Sequence, residues 1–283
     1  MEFPGTLFTY YEETRLTAFE TGPLESKKTV VFIGGLGDLY NAVPFLSPLQ
    51  KTLSEMDYSL IQVQLSSSVL GYGTSSLKQD AFELDLLVDH LLEKRKKKTI
   101  IFLGHSTGCQ DCYRHNKYGR NSSHVAGYIL QAPVSDRLFF TKNLPEFDQM
   151  LALAKRLESE DKADELLPRM KMMAPITARR FLSLNTFRGD DDVFSPDLTD
   201  NDIKSIFKVV TRPMCWVYGD SDEFYVPLNN DITLESIMER FQAICPAIEM
   251  SDIVPDGDHL LRNEESQLYF CQTVKKFIEH LKL

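Results

Sequence analysis

The pentapeptide Gly104-His105-Ser106-Thr107-Gly108 limits what this 283-residue chain can fold into more than any other stretch. It follows the apolar run Thr99-Ile100-Ile101-Phe102-Leu103 and precedes Cys109 to Tyr118, which reads as a helix. A serine held where a buried strand turns sharply into a helix forms a nucleophile elbow, with its hydroxyl standing clear of a strained turn. Side chains two residues before and after such a serine would collide with neighbouring backbone. Glycine at both places removes the collision. The pattern is short, so its surroundings have to carry the argument.

Those surroundings read as alternating strands and helices. Residues 6 to 19 alternate loosely in polarity, which suits one or two antiparallel strands at a sheet edge. Thr29-Val30-Val31-Phe32-Ile33 is a continuous β-branched run, the mark of a strand covered on both faces, and it ends in Gly34-Gly35-Leu36-Gly37-Asp38. A glycine-rich turn there could cradle a phosphate. No Gly-Lys-Ser/Thr follows, however, and the glycines lack dinucleotide-site spacing. Beside an elbow the same turn can offer a backbone N–H to a developing oxyanion, and Leu36 N–H is the expected donor.

A helix is expected over Val43 to Met56 and a strand over Ser59 to Leu65. Residues 66–76 form a small-residue loop at the mouth of the site, leading into a helix with Leu84, Leu87, Val88 and Leu91 on one face. Lys94 to Lys98 reads as a solvated, basic helix end. Val125 to Leu130 is a further strand, and the sheet resumes at Pro213 to Tyr218. Between them the texture changes to charged helical segments, Glu146 to Glu160 and Asp161 to Met173, without strand runs. About 75 residues is too long for a connection and suits a helical cap, about 137–211. Met150, Met170, Met172 and Met173 could give it an apolar underside, with ordinary packing the commoner role. A helix from Leu234 to Gln242, a strand near Ile248 to Val254 and a helix from Glu264 to Leu281 complete a mostly parallel sheet with helices on both faces. One domain spanning 1–283 accommodates all of it.

The formal net charge of -10 provides no basic footprint, which argues against nucleic acid or an anionic membrane surface as a partner. Five cysteines make no disulfide framework, and the amino terminus lacks a leader's basic and apolar regions. The expectation is a cytoplasmic protein in a reducing compartment with no membrane span. Asn121-Ser122-Ser123 is then a polar turn, and Leu281-Lys282-Leu283 the last turn of a helix.

A serine hydroxyl needs a base, and the base needs a group that fixes its tautomer and stabilises its charge. Of six histidines, His90 and His280 lie on helices, His115 and His124 flank a helix and a turn, and His105 sits inside the elbow. His259 alone follows a strand at the matching end. The acid comes from the loop after the strand ending at Tyr218, which holds Asp220, Asp222 and Glu223, with Asp222 preferred over Asp220. Ser106, Asp222 and His259 stand in the chain order of an α/β-hydrolase. Zinc is a weak rival, because Cys109 and Cys112 have no second pair at ligand spacing and read as packing behind the nucleophile.

With these residues in place the chain resembles the fungal siderophore esterases that cleave fusarinine C, within a wider and mostly uncharacterised α/β-hydrolase family. The resemblance rests on Phe32 to Asp38, Leu70 to Leu77, Leu103 to Asp111, Leu130-Gln131-Ala132-Pro133-Val134-Ser135-Asp136-Arg137 and Asp256 to His259. It implies an α/β-hydrolase fold with a helical cap insertion and a hydroxamate siderophore ester as substrate. Short acyl esters, thioesters or amides are the alternatives within the class. The chemistry expected is ester hydrolysis of a small molecule without a cofactor: Ser106 as nucleophile, His259 as base, Asp222 orienting it, and the N–H groups of Leu36 and Thr107 receiving the oxyanion. A histidine base further predicts turnover that falls with acid. The rival from another class is a non-catalytic scaffold of the same fold that binds a small ligand or a protein.

Overall fold

A computed structural model describes residues 2–229 and 232–283, so Met1, Asn230 and Asp231 lie outside the described residues. Eight strands form one sheet: β1 (Gly5–Tyr11), β2 (Leu16–Thr21), β3 (Lys28–Ile33), β4 (Ser59–Val63), β5 (Thr99–His105), β6 (Val125–Gln131), β7 (Met214–Gly219) and β8 (Ile248–Val254). Their spatial order is β1-β2-β4-β3-β5-β6-β7-β8. The β1–β2 and β2–β4 pairings are antiparallel and the other pairings parallel, which is the edge hairpin and parallel centre that the residue patterns predict. Strands β5 and β7 are buried almost end to end, as expected of strands covered on both faces.

Helices α1 (Leu46–Glu55) and α9 (Glu264–His280) cover one face, packing Leu46, Leu49, Leu53, Phe270 and Phe277 against Val30, Phe32 and Val217. The other face carries α2 (Leu77–Glu93), α3 (Gly108–Tyr118) and α8 (Leu234–Ile244) around Phe102, Tyr128 and Trp216. Leu84, Leu87, Val88 and Leu91 of α2 are fully buried there, so the apolar stripe meets the sheet. Among the described residues no helix is long and apolar enough to cross a membrane. The five cysteines are free and buried.

Between β6 and β7 run α4 (Asp136–Asn143), α5 (Phe147–Ser159), α6 (Ala178–Asn185) and α7 (Asp200–Phe207). The first three build a core of their own from Phe140, Phe147, Met150, Phe181 and neighbours, to which Met170 and Met173 belong. Val193, Phe194 and the buried residues of α7, Ile203, Ile206 and Phe207, instead join the sheet's core. The separately packed cap is therefore shorter than residues 137–211. Buried Arg180 fastens it: its Nε donates to Tyr72 O at 2.9 Å and its Nη1 pairs with Asp191.

Two expectations fail. Asp161 to Met173 is not a helix. Asp161 ends α5 in a left-handed conformation (φ 59°), Pro168 interrupts the next turns, and a bridge between Leu166 and Thr177 closes the segment into a loop. Nor is Lys94 to Lys98 wholly solvated. Lys97 is 2% exposed and lies against Glu20, itself fully buried on β2.

Candidate active site

The parallel strands deliver the site residues to one end of the sheet. Gly104 lies opposite Ile33 and His105 opposite Gln131, so Ser106 emerges at the carboxyl end of the central strand β5. Its φ of 53° is the strained left-handed turn expected of an elbow, and its N–H donates to Gln131 O at 3.0 Å. The two glycines are required by contact. A Cβ on Gly104 would stand 2.3 Å from Gly108 O, and one on Gly108 would stand 2.3 Å from Ile33 O. Behind the turn, the Cys109 thiol donates to Gly104 O and Gln131 O, and burial pushes its pKa far up. Cys109 is packing, not a reactive thiol.

His259, in the turn after β8, reaches this hydroxyl. Its Nε2 is 3.0 Å from Ser106 Oγ, and its Nδ1 is 2.9 Å from each carboxylate oxygen of Asp222. The imidazole is 4% exposed and Asp222 8%. Asp220 is exposed, its Oδ1 accepting from Ser221, so of the two aspartates in the loop it is Asp222 that meets the ring. Both ends of the His259 peptide are fixed: its N–H donates to Glu223 Oε2 at 2.9 Å, and its carbonyl accepts from Gln131 Nε2 at 3.2 Å. The ring packs beside Phe224, with centroids 4.3 Å apart, and beside His105 at 5.0 Å. His105 bonds Gln131 through Nδ1. Burial, with the charge on His259, drops its pKa to about 3, which keeps it neutral.

The turn after β3 closes the other side. Gly35 N–H donates to Asp38 Oδ2 at 2.8 Å and Asp38 N–H returns to Gly35 O at 3.1 Å. A Cβ on Gly35 would stand 2.8 Å from Ser106 Cβ and 3.3 Å from its Oγ, so this turn runs directly against Ser106. The Leu36 and Thr107 N–H groups make no hydrogen bond among the described residues. Together these elements border a pocket of about 440 Å³ lined by Ser106, His259, Phe139, Phe140, Phe224 and Met172 among others. Tyr72 is the residue of the 66–76 loop that reaches it, and the Tyr72 hydroxyl accepts from Ala174 N–H at 2.6 Å, tying loop to cap. Met172 stands at the mouth, 44% exposed, unlike its buried neighbours Met170 and Met173.

The residue patterns assign no role to Gln131, which holds His259, or to Asp38 and Asp136, which line the pocket, and they place Glu223, which also holds His259, only among the acids of its loop. The signal available for Gln131 and Asp136 was their place in the Leu130 to Arg137 run, at the end of a central strand.

A family model described as "Protein of unknown function (DUF1749)" matches residues 1–282. The chain is 31% identical over 269 residues to Esterase AN6793 of Emericella nidulans, covering 73% of this chain and 70% of that one. It is 27% identical over 325 residues to Fusarinine C esterase sidJ of Aspergillus fumigatus, covering 93% and 91%. Among solved structures, siderophore hydrolase EstB from Aspergillus fumigatus aligns with a TM-score of 0.82 at 24% identity, covering 99% of this chain and 98% of that one. The structural likeness carries the α/β-hydrolase fold.

Proposed function

The chain belongs to the family described as "Protein of unknown function (DUF1749)", and on that premise we propose that it is a serine hydrolase of carboxylic esters. The observation that carries this reading is the unbroken hydrogen-bonded chain from Asp222 through His259 to Ser106, opening on a pocket beside two unpaired amide donors. Esterase names among relatives spanning most of the chain support the same class. A receptor of this fold would have no use for a base aligned on a strained serine.

In this reading Ser106 Oγ attacks the ester carbonyl as His259 Nε2 takes its proton, and Asp222 holds the Nδ1 tautomer and stabilises the imidazolium. The carbonyl oxygen becomes an oxyanion, received by the N–H groups of Leu36 and Thr107. Collapse breaks the bond to the alcohol, which leaves with the proton from His259, and the acyl group stays on Ser106. A water molecule, deprotonated by the same imidazole, then releases the acid and restores the serine. The names of the relatives make a fusarinine-type hydroxamate siderophore ester the candidate substrate.

A fluorophosphonate should label the wild-type protein and leave Ser106→Ala unlabelled. In a panel of esters that includes an iron-loaded fusarinine-type siderophore, turnover of the siderophore above short acyl esters is expected. Equal labelling of both proteins, or no turnover of any ester, removes the reading.

Gly35→Ala offers a second test, because the new methyl would press on Ser106 at 2.8 Å. Relieving so close a contact moves the nucleophile by up to about 1 Å, and a misplacement of that size can cost on the order of 100-fold in rate. Steady-state kinetics should show such a fall with the melting temperature little changed, and a loss below threefold would mean the turn yields freely.

A further inference from the structure

The pocket beside Ser106 contains two carboxyl groups that the hydrolytic reading leaves without a task. Asp136, at the start of α4, is 9% exposed. Its Oδ2 accepts from Gln110 Nε2 at 2.9 Å and from Thr107 Oγ1 at 3.5 Å, while its Oδ1 has no hydrogen-bond partner among the described residues. Asp38 lines the same pocket. Its Oδ2 is used by Gly35 N–H, and its Oδ1 has no partner among the described residues.

Positive charge near them is already committed. Arg262, at the rim, is engaged by Asp258 and Glu223. Arg180 pairs with Asp191, and His259 with Asp222. His105 is neutral. The pocket therefore holds more acidic groups than free basic ones next to the place where an oxyanion would form, and whenever those carboxyls are ionised they oppose the reaction unless the substrate brings a compensating charge. The remaining walls are apolar: Phe139, Phe140 and Phe224 line the pocket, with Phe139 stacked on Phe224 at 4.6 Å.

We propose that Asp38 and Asp136, with the phenylalanine wall, form a cation subsite, and that the substrate is an ester carrying an ammonium group a few bonds from the scissile carbonyl. The inference rests on the ester-hydrolase reading. Burial, with the charge of Asp191, pushes the Asp136 carboxyl up to about 7, so near neutral pH it is held partly protonated and an arriving cation draws it into the ionised form. Burial likewise raises Asp38, against the Gly35 hydrogen bond.

The test uses two isosteric pairs, in which an ammonium nitrogen replaces a carbon. The benzyl ester of alanine, as both enantiomers, is set against benzyl isobutyrate, and butyrylcholine against 3,3-dimethylbutyl butyrate. The measured quantity is the ratio of kcat/KM for charged over neutral ester, in wild type, Asp136→Asn and Asp38→Asn. Asparagine keeps an acceptor for Gln110 and for Gly35 N–H, so a purely structural role would leave the ratios alone. The expected result is a fall of tenfold or more in at least one pair for at least one variant. Smaller changes throughout overturn the subsite while leaving ester hydrolysis intact. Wild-type failure on all five esters, with no fluorophosphonate labelling of Ser106, instead removes the hydrolase reading and the subsite with it. If neither variant folds, n-butylammonium should inhibit wild-type turnover of the neutral ester at least tenfold more strongly than n-butanol, and equal inhibition overturns the subsite.

Discussion

Ser106→Ala should lower kcat/KM for ester hydrolysis by about 10,000-fold or more, the scale on which removal of a triad nucleophile acts. The size follows from the geometry: without Oγ there is nothing for His259 to deprotonate, and the unpaired amides of Leu36 and Thr107 can only polarise a carbonyl for water. Asp222→Asn should cost on the order of 10,000-fold as well, because an amide cannot hold the imidazole tautomer that a carboxylate 2.9 Å from Nδ1 selects. Asp220→Asn, in the same loop but exposed, should stay within about twofold. The double variant of Ser106 and Asp222 should be little worse than Ser106→Ala alone, as expected of residues that act as a unit. Stability provides an independent check on the elbow. Ser106 sits at φ 53°, a conformation costing on the order of 1–2 kcal/mol for a residue with a Cβ. Glycine escapes that cost, so Ser106→Gly should unfold at a denaturant midpoint no lower than Ser106→Ala. That order reverses the one usual at helix positions, and finding alanine clearly the more stable would mean the turn is not strained.

The chain order of serine, acid and histidine was readable because parallel strands must present their carboxyl ends together, so each residue's position after a strand fixed its end of the sheet. That Asp222 and not Asp220 meets His259 depends on a contact between loops. Gly219 and Gly257 pass so closely that a Cβ on Gly219 would stand 2.0 Å from Gly257 O, and Ser221 N–H donates to Gly257 O at 3.0 Å. That crossing turns Asp222 inward toward His259, and two loops 37 residues apart in sequence do not announce it. The bond from Gln131 to the His259 carbonyl spans 128 residues and was equally hidden. Local pattern misled in the cap, where charged residues at helical spacing between Asp161 and Met173 fold as a loop. Their apolar members are drawn individually into the cap's core, Met170 at 3% exposure and Met173 at 7%. Tertiary burial outweighed propensity.

Lys97 is the sharpest such case, and its substitution should be among the most destabilising in the chain. A run of five basic residues after a helix reads as solvated, yet the fourth turns inward. Lys97 Nζ donates to Ser26 O at 2.7 Å and Ser59 Oγ at 3.2 Å, and stands 2.5 Å from Glu20 Oε1. Glu20 also pairs with Arg95. The group ties the loop before β5 to strands β2 and β4 of the sheet. Lys97→Met fits the space but leaves a fully buried carboxylate short of one of its two cations, and breaking a buried pair in this way costs about 3–5 kcal/mol. The double variant Lys97→Met, Glu20→Leu removes both charges and should recover most of that loss, as replacement of a whole buried pair by apolar groups often does. The acid limb of the stability curve reports the same pair. Burial raises the Glu20 pKa, but hydrogen bonds to Lys97, Ser59 and Arg95 outweigh it and hold the carboxyl below its ordinary 4.5. A carboxyl depressed in the folded state stabilises above its unfolded pKa, and that contribution is lost as pH falls through the folded value. Wild-type protein should therefore lose stability more steeply below pH 4.5 than the double variant does. Urea midpoints measured from pH 7 down to pH 3 decide it, and parallel curves for the two proteins would mean Glu20 gains nothing from its partners.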